Sequence, residues 1–312
     1  MSAEAIQEGQ SFDKHFRIQN LLGRGGMGEV WRAIDTRTNQ PVAIKVLLEK
    51  AARKRDLVAR FEREARITGQ IQSPYICPLL DSGRAGSGEL YLVFELLEGE
   101  SLSDRLKTEP QLSFDEAARY LDNVLEGLIA AHAAGVVHRD LKPANIFLAR
   151  TREETRAVIL DFGISKLLRR SRSGDEASLT SFDATLGSFA YMAPEQVRGA
   201  ARADERADIY AVGAVAFRML TSRLPFEGEN ATSLLMGKMG LDPPTLGQVT
   251  GQQWPTVVEQ FIAKALARNR EERYATAQEA LDAWRAIQAR FEQARARCRP
   301  LLDRADPPGA LA

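Results

Sequence analysis

The sequence predicts an α+β chain folded as two lobes, a small β-rich lobe followed by a larger α-helical one, with the working site in the cleft between them. Three observations predict it. At 312 residues the chain is long for one hydrophobic core and suits two packed bodies. Strand-like segments dominate up to about residue 95, and helical patterns dominate from about residue 101. A polar loop, HRDLKPAN at 138–145, follows the first long helical run and precedes a short apolar hairpin. The expected division is an N-terminal extension at 1–15, a first lobe at 16–97, a second lobe at 98–286, and a helix end with a disordered tail at 287–312.

Composition excludes some classes. The 42 basic side chains balance the 42 acidic ones, which argues against a general binder of nucleic acid or membrane surface, whose footprint would be basic. Cys77 and Cys298 are far apart and fit no metal-ligand spacing, so a reduced setting is expected. The opening MSAEAIQEGQ lacks the basic-then-apolar pattern of a secretory signal. No apolar run reaches the roughly 20 residues that span a bilayer. A soluble, cytoplasmic protein without a membrane span is the expectation.

Taken in order, FRIQNLL (16–22) reads as a strand, then come Gly23, Gly25, Gly26 and Gly28, then an apolar stretch from Val30 to Ile34. Glycines between two strands suggest a hairpin whose backbone can approach a ligand closely; a plain flexible tip is the competing reading. Because no helix follows them, a dinucleotide-binding Rossmann unit is not expected. In PVAIKVLL (41–48), alternation puts Val42, Ile44 and Val46 on one face and Ala43 with Lys45 on the other. A flat ring could lie over Ala43 while Lys45 reaches its phosphates; a lysine snorkelling at a strand edge is the alternative.

Residues 56–72 carry helical periodicity, with Leu57, Phe61, Thr68 and Ile71 on one stripe, Glu64 on the same stripe and Glu62 nearly opposite. A carboxylate on an inward face needs a partner, and Lys45 is the candidate; a surface-exposed Glu64 is the competing reading. YICPLLDSG and LYLVFELLEG read as strands around a Gly/Ser turn, and the lobe boundary falls near 95–100. SLSDRLKT and a run from Phe114 to Ala134 are helical. The strands around a polar turn after HRDLKPAN form a hairpin that presents Asp140 and Asp161 from neighbouring loops. Residues 164–192 are rich in Ser, Thr, Gly and charge, and within them RRSRSGDEASLTS (169–181) has no core pattern and should be mobile. Order resumes at APEQ (193–196), and DIYAVGAVAFRML, ATSLLMGKM and TVVEQFIAKAL are helical. In the last helix Ala277, Leu281, Trp284, Ile287, Phe291, Ala294 and Cys298 recur at spacings of 4, 3, 3, 4, 3 and 4, a stripe that packs on the body. Its later turns, up to a break at Pro300, could instead dock a partner.

The chemistry gathers in HRDLKPAN. Asp140, Lys142 and Asn145 suit accepting a proton from a hydroxyl, neutralising a phosphoryl group and ligating a divalent cation. GRGGMGEV (23–30), VAIK (42–45), HRDLKPAN, DFG (161–163) and APE (193–195) stand in one order that resembles the eukaryotic-like protein kinase family. The wording is most similar to bacterial serine/threonine kinases of that family, Hanks-type, over roughly residues 16–286. The resemblance implies a bilobal protein kinase fold and transfer of the γ-phosphoryl group of ATP, with Mg²⁺ (or Mn²⁺ in its place), to Ser/Thr hydroxyls of proteins. Lys142 in the catalytic loop favours Ser/Thr over Tyr acceptors.

By resemblance, Leu22, Gly23, Arg24, Gly25, Gly26, Met27, Gly28, Glu29 and Val30 cover the nucleotide, with Ala43 above the adenine and Phe147 beneath it. The Glu95 carbonyl and Leu97 backbone bind the ring's edge, and Phe94 guards the pocket behind. Lys45 contacts the α and β phosphates and is held by Glu64; Asp161 and Asn145 ligate the metal. Asp140 takes the hydroxyl proton and Lys142 stabilises the γ-phosphoryl. Arg139 implies a switch in which a phosphate on Ser178, Thr180, Ser181 or Thr185, put there by autophosphorylation, orders the segment. Glu195 pairs with Arg273, and Asp208 braces the catalytic loop. One departure is Ser188, where the family usually has threonine; its hydroxyl can still reach Asp140 and Lys142. No sensor or membrane anchor is expected after the kinase region. A homodimer through the first lobe or the last helix is left open. Two other readings are a pseudokinase that holds ATP or partners without chemistry, and a small-molecule phosphotransferase. The full set Lys45, Glu64, Asp140, Asn145 and Asp161 speaks against the first; the APE segment and the Ser188 region, which the resemblance implies form a peptide-binding ledge, speak against the second.

Overall fold

The computed structural model describes residues 6–25, 28–47, 55–86, 88–162, 189–198 and 203–302. The first lobe is a six-stranded antiparallel sheet in the order β1-β2-β3-β4-β6-β5, formed by β1 (Ser11–Phe12), β2 (Phe16–Gly25), β3 (Gly28–Asp35), β4 (Gln40–Leu47), β5 (Leu79–Arg84) and β6 (Leu90–Glu95). One helix, α1 (Arg55–Thr68), packs on it. The alternation read in β4 holds: Val42, Ile44 and Val46 are buried with Phe16, Ile18, Trp31 and Tyr91 on one face. Phe12, in the stretch read as an N-terminal extension, is buried in that same cluster through β1.

On α1, Phe61 and Thr68 are buried and Glu62 is exposed, as the stripe requires. The helix stops at Thr68 instead of running to 72. Past Gly69 the amides of Gln70 and Ile71 reach back only three residues, to Ile67 and Thr68, a tightening common at helix ends. Leu47, Phe61, Ala65, Leu90 and Leu92 form the core between α1 and the sheet.

The second lobe opens with β7 (Gly99–Ser101), which joins β8 (Ile146–Arg150) and β9 (Thr155–Ile159) in a small antiparallel sheet. A side chain is not tolerated at Gly99: φ is +147° and a Cβ would lie 2.0 Å from the Leu148 carbonyl oxygen. Helices α2 (Leu102–Thr108) and α3 (Phe114–Ala133) are capped by the hydroxyls of Ser101 and Ser113, which accept from Asp104 N–H and Glu116 N–H. Then come α4 (Pro194–Arg198), α5 (Arg206–Thr221), α6 (Ala231–Gly240), α7 (Leu246–Thr250), α8 (Thr256–Ala265) and α9 (Ala277–Leu302).

Every residue of α5 from Ala207 to Phe217 is buried. It is the central rod of the lobe, packed by α3, α7, α8 and α9. In α9 the stripe is buried at Ala277, Leu281, Trp284 and Ile287, while Phe291 is half-buried against Phe114 and Ala294 is exposed. The helix runs two residues beyond Pro300. A proline in a helix loses its N–H bond and crowds the carbonyl four residues earlier, but Pro300 stands in the last turn of a helix that runs to Leu302, and the expected break there does not occur. Residues 303–312, read as a disordered tail, lie outside the described residues. No helix among the described residues is long and apolar enough to cross a membrane.

Candidate active site

The cleft is built by two hairpins that face each other. From the first lobe, Lys45 lies on the side of β4 opposite the sheet's core. Cross-strand register puts Val30 opposite Lys45 and Phe94 opposite Ala43, so Val30, Ala43, Lys45 and Phe94 share that face. Val30 and Ala43 are half-buried and belong to none of the apolar cores, which leaves their surface to the cleft. Leu22 is 49% exposed at the rim. Among the floor residues, Phe147, Leu97 and Phe94 pack around Cys77, Ala149 and Val158. Cys77 Sγ lies 3.7 Å from the Glu95 carbonyl oxygen, and the Glu95 N–H donates to Pro78 O at 3.1 Å. Among the described residues no hydrogen bond occupies the Leu97 backbone.

The glycine hairpin joins β2 to β3 with Gly23 opposite Val30, Arg24 opposite Glu29 and Gly25 opposite Gly28. Gly28 has φ +152°, and a Cβ there would stand 1.9 Å from the Val46 carbonyl oxygen, so only glycine fits. Arg24 reaches across to Glu29 at 2.8 Å, and the Trp31 indole N–H donates to the other Glu29 oxygen at 3.0 Å. Gly26 and Met27 lie outside the described residues.

From the second lobe, Asp140, Lys142, Asn145 and Asp161 flank one end of the β8–β9 hairpin. Ile146 pairs with Ile159, and the Leu160 N–H donates to Asn145 O at 2.9 Å, so Asn145 and Asp161 leave the hairpin side by side. Lys142 Nζ is 3.0 Å from Asp140 Oδ2, and the Asn145 amide donates to the Asp140 carbonyl at 2.8 Å and to Asp140 Oδ2 at 3.3 Å. Across the cleft, Lys45 Nζ meets Asp161 Oδ2 at 2.7 Å. Burial raises the Asp161 pKa, but Lys45, then His138 and Lys142, outweigh it and hold the carboxyl below its ordinary range. Glu64, the expected partner of Lys45, falls on α1, and its side chain lies outside the described residues.

The loop is held from below. Asp208 of α5, fully buried, accepts from the His138 N–H at 2.8 Å and the Arg139 N–H at 2.7 Å, and pairs with His132 Nε2 at 2.9 Å. Arg139 and Asp161 both have left-handed backbones, φ +64° and +58°, a conformation that non-glycine residues keep only when their surroundings enforce it. His138 accepts from the Asp140 N–H at Nδ1 and lies 2.9 Å from Leu160 O at Nε2, which assigns the proton to Nε2 and ties both acidic loops to one ring. Its edge packs on Phe162 with centroids 4.8 Å apart. Sequence reasoning assigned no role to His132 or His138, whose partners are set by the fold.

Arg139 donates to Ala203 O at 3.3 Å, and its buried Nε has no hydrogen-bond partner among the described residues. Gln196 links the loop to α4: its amide donates to Arg139 O at 2.9 Å and its oxygen accepts from Ala193 N–H at 3.0 Å. Glu195 and Arg273 form the expected bidentate pair at 2.7 and 2.9 Å. Ser178, Thr180, Ser181, Thr185 and Ser188 lie outside the described residues.

Hard oxygen donors are what a divalent cation of the Mg²⁺ type takes, and the Asp161 carboxylate with the side-chain amide oxygen of Asn145 supplies such donors at the ends of neighbouring strands. Among the described residues no group of three or more His, Cys, Asp or Glu could hold a metal alone.

The protein kinase domain model matches residues 16–284. The serine/threonine-protein kinase Pkn3 of Myxococcus xanthus is 36% identical over 273 residues, 86% of this chain and 49% of that protein. PknA of Mycobacterium tuberculosis is 34% identical over 308 residues, 97% of this chain and 67% of the relative. The chain thus spans about half the length of the first of these curated relatives. The crystal structure of the M. tuberculosis PknI kinase domain superimposes with a TM-score of 0.69 at 25% identity, covering 91% of this chain and 100% of that one. Rad53 bound to AMP-PNP superimposes with a TM-score of 0.69 at 26% identity, over 87% of this chain and 65% of that one. A bilobal fold with the glycine hairpin, Lys45, HRDLKPAN, Asp161 and APE in place, matched over most of its length, makes this chain a member of the protein kinase domain family, of the Hanks-type bacterial serine/threonine kind.

Proposed function

We propose that the chain transfers the γ-phosphoryl group of ATP to Ser/Thr hydroxyls of protein substrates and autophosphorylates its own segment at 164–190. The observation that carries this reading is Asp140 held beside Lys142 and Asn145, opposite the Lys45–Asp161 pair. ATP lies under the glycine hairpin, against Val30, Ala43 and Leu22, above Phe147, with its edge on Glu95 and Leu97; the AMP-PNP bound by Rad53 supports that choice of nucleotide. Lys45, steadied by Glu64, contacts the phosphates. Asn145 and Asp161 hold Mg²⁺ or Mn²⁺, which offsets phosphate charge. Asp140 orients the acceptor hydroxyl and takes its proton as the oxygen attacks phosphorus and the bond to the leaving ADP oxygen breaks. Lys142 stabilises the charge that spreads over the transferred oxygens. We place the reaction in the cytoplasm, where ATP is held.

Arg139 is the switch in this reading. Its guanidinium has a buried Nε with no hydrogen-bond partner among the described residues, and a phosphate on Ser178, Thr180, Ser181 or Thr185 supplies acceptors.

Radiolabelled Mg-ATP should label the protein itself or a generic basic protein on Ser/Thr, and Asp140→Asn should abolish labelling while nucleotide binding persists. Equal labelling by both proteins removes Asp140 as the base. No labelling by either removes the kinase reading of the isolated chain. Phosphosite mapping with no phosphate between 164 and 190 removes the switch.

A further inference from the structure

Lys238, on α6, is 1% exposed. Its ammonium donates to the carbonyl oxygens of Phe189 at 2.8 Å, Ala190 at 2.7 Å and Met192 at 2.8 Å. An ammonium has three N–H groups, and here each has an oxygen of its own. All three oxygens come from the four residues that lead into Ala193 and α4.

Among the described residues no carboxylate pairs with this charge. Lys238 Nζ lies over the ring of Tyr210 of α5, 5.1 Å from its centroid, and the same ring lies 5.0 Å from the Arg273 guanidinium, itself paired with Glu195. Burial without a carboxylate makes the site a costly one for a cation. Burial drives the lysine's pKa down to about 7, whereas three carbonyl acceptors act in the opposite sense and are all matched only by the charged form. A core-filling role would be met at less cost by Met or Leu. Three carbonyl dipoles that converge on one point repel each other, and a cation is what holds them together.

The held segment is placed with respect to chemistry. Phe189 and Ala190 pack with Phe226, Leu234 and Leu235, so the carbonyls are fixed above α6. At its other end the segment is tied to the catalytic loop through Ala193, Gln196 and the Arg139 carbonyl. The ledge therefore has two tethers, one to α6 and one to the loop that carries Asp140.

We propose that Lys238 is a positioning residue for the acceptor peptide: its ammonium sets the course of Phe189–Met192, the ledge on which the peptide's backbone and the residue next to the acceptor rest. This rests on the kinase reading above. Lys238 does not touch ATP or the reacting atoms, so the effect belongs to peptide recognition.

The test uses the full chain, a basic Ser/Thr peptide, and Lys238→Met and Lys238→Gln. Methionine has no donor and glutamine's amide has two, which ranks the variants. Loss of the tethers should raise KM for the peptide about tenfold or more in Lys238→Met and less in Lys238→Gln, since each ~1.4 kcal/mol is a factor of ten. KM for ATP should stay within about twofold, because no contact of Lys238 reaches the nucleotide site. Equal rises in both KM values, an unchanged peptide KM, or failure of both variants to fold overturns the proposal. An inactive wild-type chain removes the kinase reading instead, and that outcome is seen before any variant is compared.

Discussion

Asp208 holds Arg139 by its backbone: the buried carboxylate accepts the Arg139 N–H at 2.7 Å while Arg139 sits at φ +64°. The second oxygen accepts the neighbouring His138 N–H at 2.8 Å. Two consecutive amides of the catalytic loop are thus satisfied by one side chain from α5. The left-handed turn of Arg139 is the geometry that lets both point at it.

Removing that acceptor should be costly. Asp208→Ala leaves two N–H groups and His132 without their partner, and each unsatisfied buried donor costs about 1–3 kcal/mol. Urea unfolding should show a loss of about 3–5 kcal/mol, and phosphoryl transfer should fall with it even below the new midpoint. Full activity in a folded Asp208→Ala would show that the loop holds its shape unaided.

The same carboxylate gives a pH dependence. Burial pushes Asp208 upward, but the hydrogen bonds from His132 and the Arg139 N–H outweigh it, so its folded pKa lies below the ordinary 3.8. Such a group contributes stability that is present above its unfolded pKa and lost as pH falls through the folded value. The urea midpoint should therefore hold from pH 7 to about pH 5 and drop below about pH 4. Asp208→Asn should be less stable at pH 7 and lose less over that acid range; a parallel fall in both proteins assigns the acid loss elsewhere.

Arg273 uses all five of its N–H donors: Nε to Ala267 O, Nη1 to Glu195 and Arg206 O, Nη2 to Glu195 and Arg268 O. Lysine has three donors and no fork, so Arg273→Lys is not conservative here. We expect a loss of about 3 kcal/mol on breaking the pair, read as a lower urea midpoint. Activity lost without stability lost would assign Arg273 to something other than this brace.

Cys77 should be inert. Burial, with Glu95 and Asp161 adding to it, pushes its thiol up to about 12, and only the thiolate alkylates readily. Iodoacetamide at pH 8 should leave Cys77 unmodified by peptide mass mapping until urea unfolds the first lobe. Prompt labelling of native protein would mean that the floor of the cleft opens.

Much of the site was legible because its chemistry is local in sequence. Asp140, Lys142 and Asn145 fall within one short loop, and the two-residue period of β4 separated Lys45 from Val42 and Ile44. The Asp208 brace and the Glu195–Arg273 pair came from the family resemblance, and the structure adds their atoms. Lys238 was not legible: a lysine in ATSLLMGKM reads as a solvated helix residue, and its three oxygens come from a segment some 46 to 49 residues earlier. His132 and His138 were missed for the same reason. The end of α1 at Thr68 escaped because Ile71 continues the apolar period past a glycine that stops the helix. Phe12 escaped because a two-residue strand has no period.

The burial of α5 has a consequence for exchange with solvent. His138 and Arg139 are loop residues, whose amides ordinarily exchange through small local openings. Here their hydrogens are covered by a carboxylate on a rod that has no solvent face from Ala207 to Phe217. To release them, the rod itself must leave the lobe. In deuterium exchange these two loop amides should be as slow as the helical core, and a destabilising change anywhere around α5 should quicken them by the same factor as global unfolding.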